Sequence, residues 1–307
     1  MRSINRRRFL QSTALAAIHA QSANAQQDDC PQQTELSGSS ANMSKLGFSE
    51  ETFSNDAYSH FVYSKGQGPA VIVMHELPGM DMHAVRFANR LVEHGFTVHM
   101  PLLFGDPLVS SPNLNYVRLC INKEFAYLKS NTSAPVCDWV RAFANHLGQS
   151  GTGRNIGVIG MCVTGAFAIP VIIDSKVRTV IISQPAIPLS MTYYLTKKGE
   201  GSWMEKLNIA DEDLDKAVGT VKQENLHVVV QRFKEDRLCP PQRVQRIADV
   251  FGENASCYEY DRPRPEADKP HAILTVEYDK ADCSPENPTR VALARVVSFL
   301  HENLNAQ

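Results

Sequence analysis

From Ile156 to Ile173 the chain runs for 18 residues without a charged side chain. A run of that length begins to qualify as a membrane-crossing helix. Gly157, Gly160, Gly165 and Pro170 argue against it, because glycine and proline punctuate regular structure. The segment reads instead as a buried strand, Asn155–Met161, a tight turn, and a helix, Val163–Ile173. A strand with no polar face must be covered on both sides, which calls for helices on both faces of a sheet.

The rest of the chain repeats this alternation. Short apolar runs predict strands at Tyr58–Ser64, Ala70–His75, Thr97–Met100, Arg178–Ser183, Leu226–Gln231 and Ser256–Tyr260. Between and after them, apolar residues at helical spacing predict helices at Ala84–His94, Tyr116–Leu128, Val136–Leu147, Asp211–Gln223, Pro240–Phe251 and Pro288–Leu304. Strands alternating with helices imply an α/β fold with a mostly parallel central sheet. We read one domain over residues 55–307, preceded by a polar arm at 26–54. An excursion at 185–225, carrying Tyr193, Tyr194 and Trp203, is long enough to cover a site as a lid, but its aromatic residues suit core packing better.

The N-terminus reads as an address. Arg6 and Arg7, followed by Phe9 and Leu10, an apolar stretch, and Ala23-Asn24-Ala25, have the order of a twin-arginine export signal over residues 1–25. Export machinery would then be a transient partner, and the mature chain periplasmic or secreted. Formal net charge is −2, with no cationic excess to neutralise phosphates, so nucleic acid is not an expected partner. Seven cysteines leave at least one thiol unpaired within the chain, and the six besides Cys162 could form up to three disulfides.

Gly160-Met161-Cys162-Val163-Thr164-Gly165 lies between a strand and a helix. This is the setting of a nucleophile elbow, G-x-nucleophile-x-G, with Cys162 in the central place. The helix N-terminus favours a thiolate there, and the Val163 N–H faces a developing oxyanion. In such a fold the acid and then the histidine follow the nucleophile. Asp236 follows the strand Leu226–Gln231, with Glu235 and Asp261 as competitors. His271 falls between the last strand and the last helix, which favours it over His60, His94, His146 and His227. His75-Glu76-Leu77-Pro78-Gly79 closes the strand Ala70–His75. It begins like a zinc-binding H-E-x-x-H, but the fifth residue is Gly79, so no metal follows. The Leu77 N–H is the candidate for the second oxyanion donor.

These motifs, HELPG at 75–79, GMCVTG at 160–165, the Asp236 loop and PHAIL at 270–274, resemble those of the dienelactone hydrolase family of α/β-hydrolases. The resemblance spans roughly Tyr58 to Leu304. It implies an α/β-hydrolase fold and a Cys162–Asp236–His271 triad that attacks a small ester or lactone through an acyl-thioester. It implies that Glu76 holds or receives the thiol proton, and that no cofactor is needed. The chain departs from the family pattern in three places. Thr164 stands where the family has glycine, which is expected to narrow the elbow or displace its helix. Pro170 is expected to kink or shorten that helix. Thr275 stands where dienelactone-cleaving members hold the substrate carboxylate with an arginine; Arg118 is the alternative cation. The competing readings are a non-catalytic binding relative keeping a relic triad, and a redox-sensitive thiol at Cys162.

Overall fold

The computed structural model describes residues 42–125, 133–149, 155–173, 175–187 and 200–304. The export signal, most of the polar arm, Cys30, Tyr193 and Tyr194 lie outside these residues.

Eight strands form one sheet: β1 (Ser49–Ser54), β2 (Ser59–Lys65), β3 (Ala70–Met74), β4 (Thr97–Pro101), β5 (Ile156–Met161), β6 (Val177–Ser183), β7 (His227–Phe233) and β8 (Ala255–Tyr260). Their spatial order is β1-β2-β4-β3-β5-β6-β7-β8. β2 runs antiparallel to β1 and β4, and the pairs from β4 through β8 are parallel. The fold is thus the mostly parallel α/β architecture expected from the alternation.

Side chains of the central strands alternate between two cores. Ile72, Met74, Val158 and Ile182 face one, and Val71, Val73, Ile159 and Ile181 face the other. Helices α1 (Met82–Glu93), α2 (Pro112–Ile121) and α3 (Val136–Gln149) follow β3 and β4. Val85, Phe87, Ala88 and Leu91 of α1 fill the second core; Trp139, Val140 and Phe143 of α3 fill the first. α1 starts where the Asp81 carboxylate accepts from the His83 and Ala84 N–H groups, at 2.9 and 3.1 Å. α2 begins at Pro112, earlier than the predicted Tyr116, since proline suits a first helical turn.

The predicted elbow helix is not continuous. Cys162–Thr164 is a 3₁₀ turn, and α4 spans only Ala168–Val171. Phe167 N–H donates to Thr164 O at 3.1 Å and Ile169 N–H to Ala166 O at 3.2 Å, a tighter i→i−3 pattern. Pro170 explains it, because its ring collides with the carbonyl of an α-helical i−4 residue and it has no N–H. No long helix therefore starts at Cys162.

The chain continues through α5 (Glu200–Glu205), α6 (Asp211–Gln223), α7 (Pro241–Phe251), α8 (Val276–Lys280) and α9 (Pro288–Leu304). In the excursion, the Trp203 ring is buried and its Nε1–H donates to Ile187 O at 3.3 Å. Residues 188–199 lie outside the described ones.

Two expectations change. Ser49–Ser54, placed in the polar arm by composition, is an exposed edge strand paired with β2. Cys120, Cys137, Cys162, Cys239 and Cys257 are free thiols, and Cys283 is disulfide-bonded, so three disulfides are not formed. Cys137 and Cys239 sit in the apolar core, where burial raises their pKa and keeps them as neutral thiols. Among the described residues no helix is long and apolar enough to cross a membrane.

Candidate active site

In a parallel sheet, sites form beyond the carboxyl ends of the strands, where the order of connection reverses. Here that point lies at β3 and β5, which pair side by side with Met74 opposite Gly160.

Cys162 leaves β5 with φ +53°, in the left-handed region that non-glycine residues rarely occupy. The turn is held from three directions. A Cβ on Gly160 would lie 2.4 Å from Thr164 O, so only glycine fits before the turn. A Cβ on Gly165 would meet Pro185 Cα at 2.8 Å, so the chain after β6 packs directly on the elbow. Thr164 supplies the third restraint. Its buried hydroxyl accepts from the Met161 N–H at 3.1 Å. As donor it faces Met161 O at 2.9 Å, Met74 O at 3.1 Å and His75 O at 3.2 Å. The hydroxyl ties the elbow to the end of β3.

Beyond β7, Asp236 is buried, with its side chain 1% exposed. Its Oδ2 accepts from His271 Nδ1 at 2.7 Å. Its Oδ1 accepts from the Leu238 and Cys239 N–H groups at 2.8 and 3.1 Å. Buried Arg232 shapes this loop by donating to Cys239 O, Lys234 O and Asp236 O at 2.7, 3.1 and 3.2 Å. Glu235 and Asp261, the competing acids, pair with Arg262 and Lys234 instead.

The second nitrogen of His271, Nε2, is buried. Burial lowers the pKa of this imidazole, but the neighbouring Cys162, then Asp236, more than reverse that and raise it well above the ordinary value.

Glu76, at the end of β3, is buried beside them. Its Oε1 accepts from Gln184 Nε2 at 2.6 Å and its Oε2 from Thr275 Oγ1 at 2.8 Å. Burial raises its pKa, opposed by His271 and the Thr275 hydroxyl. Gln184 also adopts a left-handed φ of +35°, and its N–H donates to Gln231 O at 2.7 Å. Gln184 was not singled out from the sequence, where its only signal was a polar residue at the end of an apolar strand; Thr275 was noted only for standing at the expected arginine position, not for a contact with Glu76.

Of the oxyanion candidates, Val163 is buried and Leu77 partly so. The carbonyl of Cys162, in the same peptide unit as the Val163 N–H, accepts from Gly165 N and Ala186 N at 3.0 and 2.8 Å. In a trans peptide that turns the Val163 N–H the other way. Arg118 lies on α2, and its partner Asn115 donates to Pro78 O at 3.1 Å. The Arg118 guanidinium contacts Asp106 at 3.4 Å and Asn115 Oδ1 at 3.2 Å. Among the described residues no cluster of His, Cys, Asp or Glu is arranged to hold a metal.

A covered parallel sheet with a strained elbow beside an Asp–His pair defines an α/β-hydrolase of the ester and lactone type. Residues 56–231 match the model of the dienelactone hydrolase family, and the chain belongs to that family. The match includes Glu76 and Cys162 and ends before Asp236 and His271. No curated protein matches the sequence. Among solved structures, the chain resembles an α/β hydrolase from Penicillium sp. (TM-score 0.56, 11% identity, 84% of this chain and 99% of that one). It also resembles a dienelactone hydrolase-like promiscuous phosphotriesterase from metagenomic libraries (0.54, 15%, 82% and 98%). An esterase from Pyrococcus furiosus is a third (0.51, 14%, 86% and 96%). At these identities the likeness is one of fold.

Proposed function

We propose that the protein is a cysteine hydrolase of small esters or lactones, acting through Cys162, Asp236, His271 and Glu76. The observation that carries this reading is the state of His271. It is bonded to Asp236 at 2.7 Å, raised in pKa by its neighbour Cys162, and buried at Nε2. A histidine held by a buried carboxylate beside a thiol is placed to move a proton, which a structural histidine would not need to be.

The proton inventory then closes. Glu76 takes the thiol proton, and the Cys162 thiolate attacks the carbonyl carbon. The N–H groups of Leu77 and Val163 receive the negative oxygen. His271 protonates the departing alkoxide, leaving an acyl-thioester and a neutral imidazole. That imidazole takes a proton from water, whose oxygen attacks the thioester. Cys162 departs as thiolate, and Glu76 returns its proton. Asp236 holds the imidazole in one tautomer throughout. No cofactor enters these steps.

The test is turnover of a small activated ester and a simple lactone by wild type and Cys162→Ala, with mass spectrometry of the acylated protein. Turnover that survives in Cys162→Ala would remove the nucleophile. No turnover by wild type would favour a binding relative with a relic triad.

We propose further that the chain is exported through its twin-arginine signal. The disulfide at Cys283 supports this, because such bonds persist outside the reducing cytoplasm. Fractionation of cells carrying Arg6→Lys with Arg7→Lys tests it; unchanged export would refute it.

A further inference from the structure

His75 has no place in the steps above, and its motif was considered only for zinc. It is fully buried, in edge contact with the Phe104 ring at 4.4 Å between centroids. Its two nitrogens have different partners. Nδ1 faces Glu76 O at 3.1 Å, and Nε2 faces the Leu103 N–H at 3.2 Å. A carbonyl only accepts and an amide N–H only donates, so the hydrogen must sit on Nδ1. The ring is a neutral spacer between two backbones, and burial holds its pKa at about 4.

The Glu76 carbonyl belongs to the same peptide unit as the Leu77 N–H. That peptide is trans, so carbonyl and N–H point in opposite directions. Gly79 N also donates to Glu76 O, at 3.0 Å. The oxygen is thus gripped from two sides, as Cys162 O is gripped by Gly165 and Ala186. The two peptides offered as oxyanion donors are aimed by the same device. In one, every grip is backbone; in the other, one grip is a side chain.

We infer that His75 is a positioning residue that aims the Leu77 N–H at the oxyanion by holding the Glu76 carbonyl from behind. The inference rests on the hydrolase reading above. It also explains why a buried histidine directly precedes Glu76: the Leu103 N–H on the far side of the ring fixes its plane. With the ring fixed, the peptide cannot rotate when charge builds up on the substrate oxygen. Preorganisation of this kind acts on the transition state more than on substrate binding.

The experiment compares His75→Asn and His75→Gln with wild type on the small activated ester. Asparagine places its amide N–H where Nδ1 sits and keeps the grip on Glu76 O. Glutamine reaches toward Leu103 and loses that grip. The expected result is that His75→Gln loses kcat by roughly 10²-fold with little change in KM, while His75→Asn keeps most of it. Equal losses in both variants, or a glutamine variant with full kcat, overturn the proposal. A second measurement needs no variant. Long-range ¹H–¹⁵N spectra of wild type should show His75 as the Nδ1–H tautomer; an Nε2–H tautomer overturns the proposal even if a variant fails to fold. Should wild type show no turnover, the hydrolase reading fails, and the tautomer still reports whether His75 holds Glu76 O.

Discussion

Replacing Thr164 by valine keeps the shape of the side chain and removes its hydroxyl. That hydroxyl is buried and serves twice, accepting from the Met161 N–H and donating into the carbonyls of Met161, Met74 and His75. Losing the donated bond costs about 1 kcal/mol, and leaving the Met161 N–H buried without a partner costs about 2 kcal/mol more. The expected destabilisation is about 3 kcal/mol. For a domain of this size that is a fall in Tm of roughly 6–12 °C. Thr164→Ser keeps the hydroxyl and deletes one buried methyl, so its cost should be nearer 1 kcal/mol. Urea unfolding followed by circular dichroism gives both differences. Activity carries the second half of the argument. The strained φ of Cys162 survives only because its surroundings over-determine it, and Thr164 is one of those restraints. Thr164→Val should therefore lower kcat roughly tenfold or more, and Thr164→Ser much less. If valine proves as stable as threonine, or serine costs more than valine, the hydroxyl is not what holds the elbow.

Two further outcomes follow from named contacts. The Thr275 hydroxyl stabilises the ionised form of Glu76, so Thr275→Val should raise the pKa of Glu76 further. If ionised Glu76 receives the thiol proton, the acid limb of kcat/KM should move to higher pH by about one unit; a limb that stays put or moves down removes Glu76 from that role. At the base of the His271 segment, Asp279 pairs with His83, Arg86 and Arg90, tying α8 to α1. Burial opposes its charge, but these partners win and depress its pKa. Asp279→Ala should cost about 3 kcal/mol at neutral pH. A depressed carboxylate stabilises above its unfolded pKa and loses that contribution as pH falls through the folded one. The deficit should therefore shrink below about pH 4; a deficit independent of pH would mean packing, not charge, is responsible.

The sheet was legible because its central strands have no polar face. Ala70–Met74 and Ile156–Met161 are buried throughout, and a continuous apolar run marks such strands. β1 was not legible for the opposite reason. Its SEETFS sequence is mostly exposed, and pairing with β2 alone makes it a strand. The elbow turn could be read from Gly160 and Gly165, yet its helix could not be read correctly. The apolar spacing of Val163–Ile173 suits a helix, and Pro170 overrides it.

The nucleophile, acid and base candidates could be listed because order along the chain carries information in this fold. What surrounds Glu76 could not. Gln184 and Thr275 lie 108 and 199 residues away from it in sequence, and nothing in the sequence brings either to Glu76 until the strands are assembled. Their identity nevertheless changes the chemistry. A cation at position 275 would hold Glu76 as a carboxylate at almost any pH. Here His271, a hydroxyl and an amide favour the carboxylate, against a burial that pushes the other way and prevails. The same substitution removes a fixed positive charge from beside the elbow. The site should turn over neutral esters in preference to substrates that must anchor a carboxylate at that position.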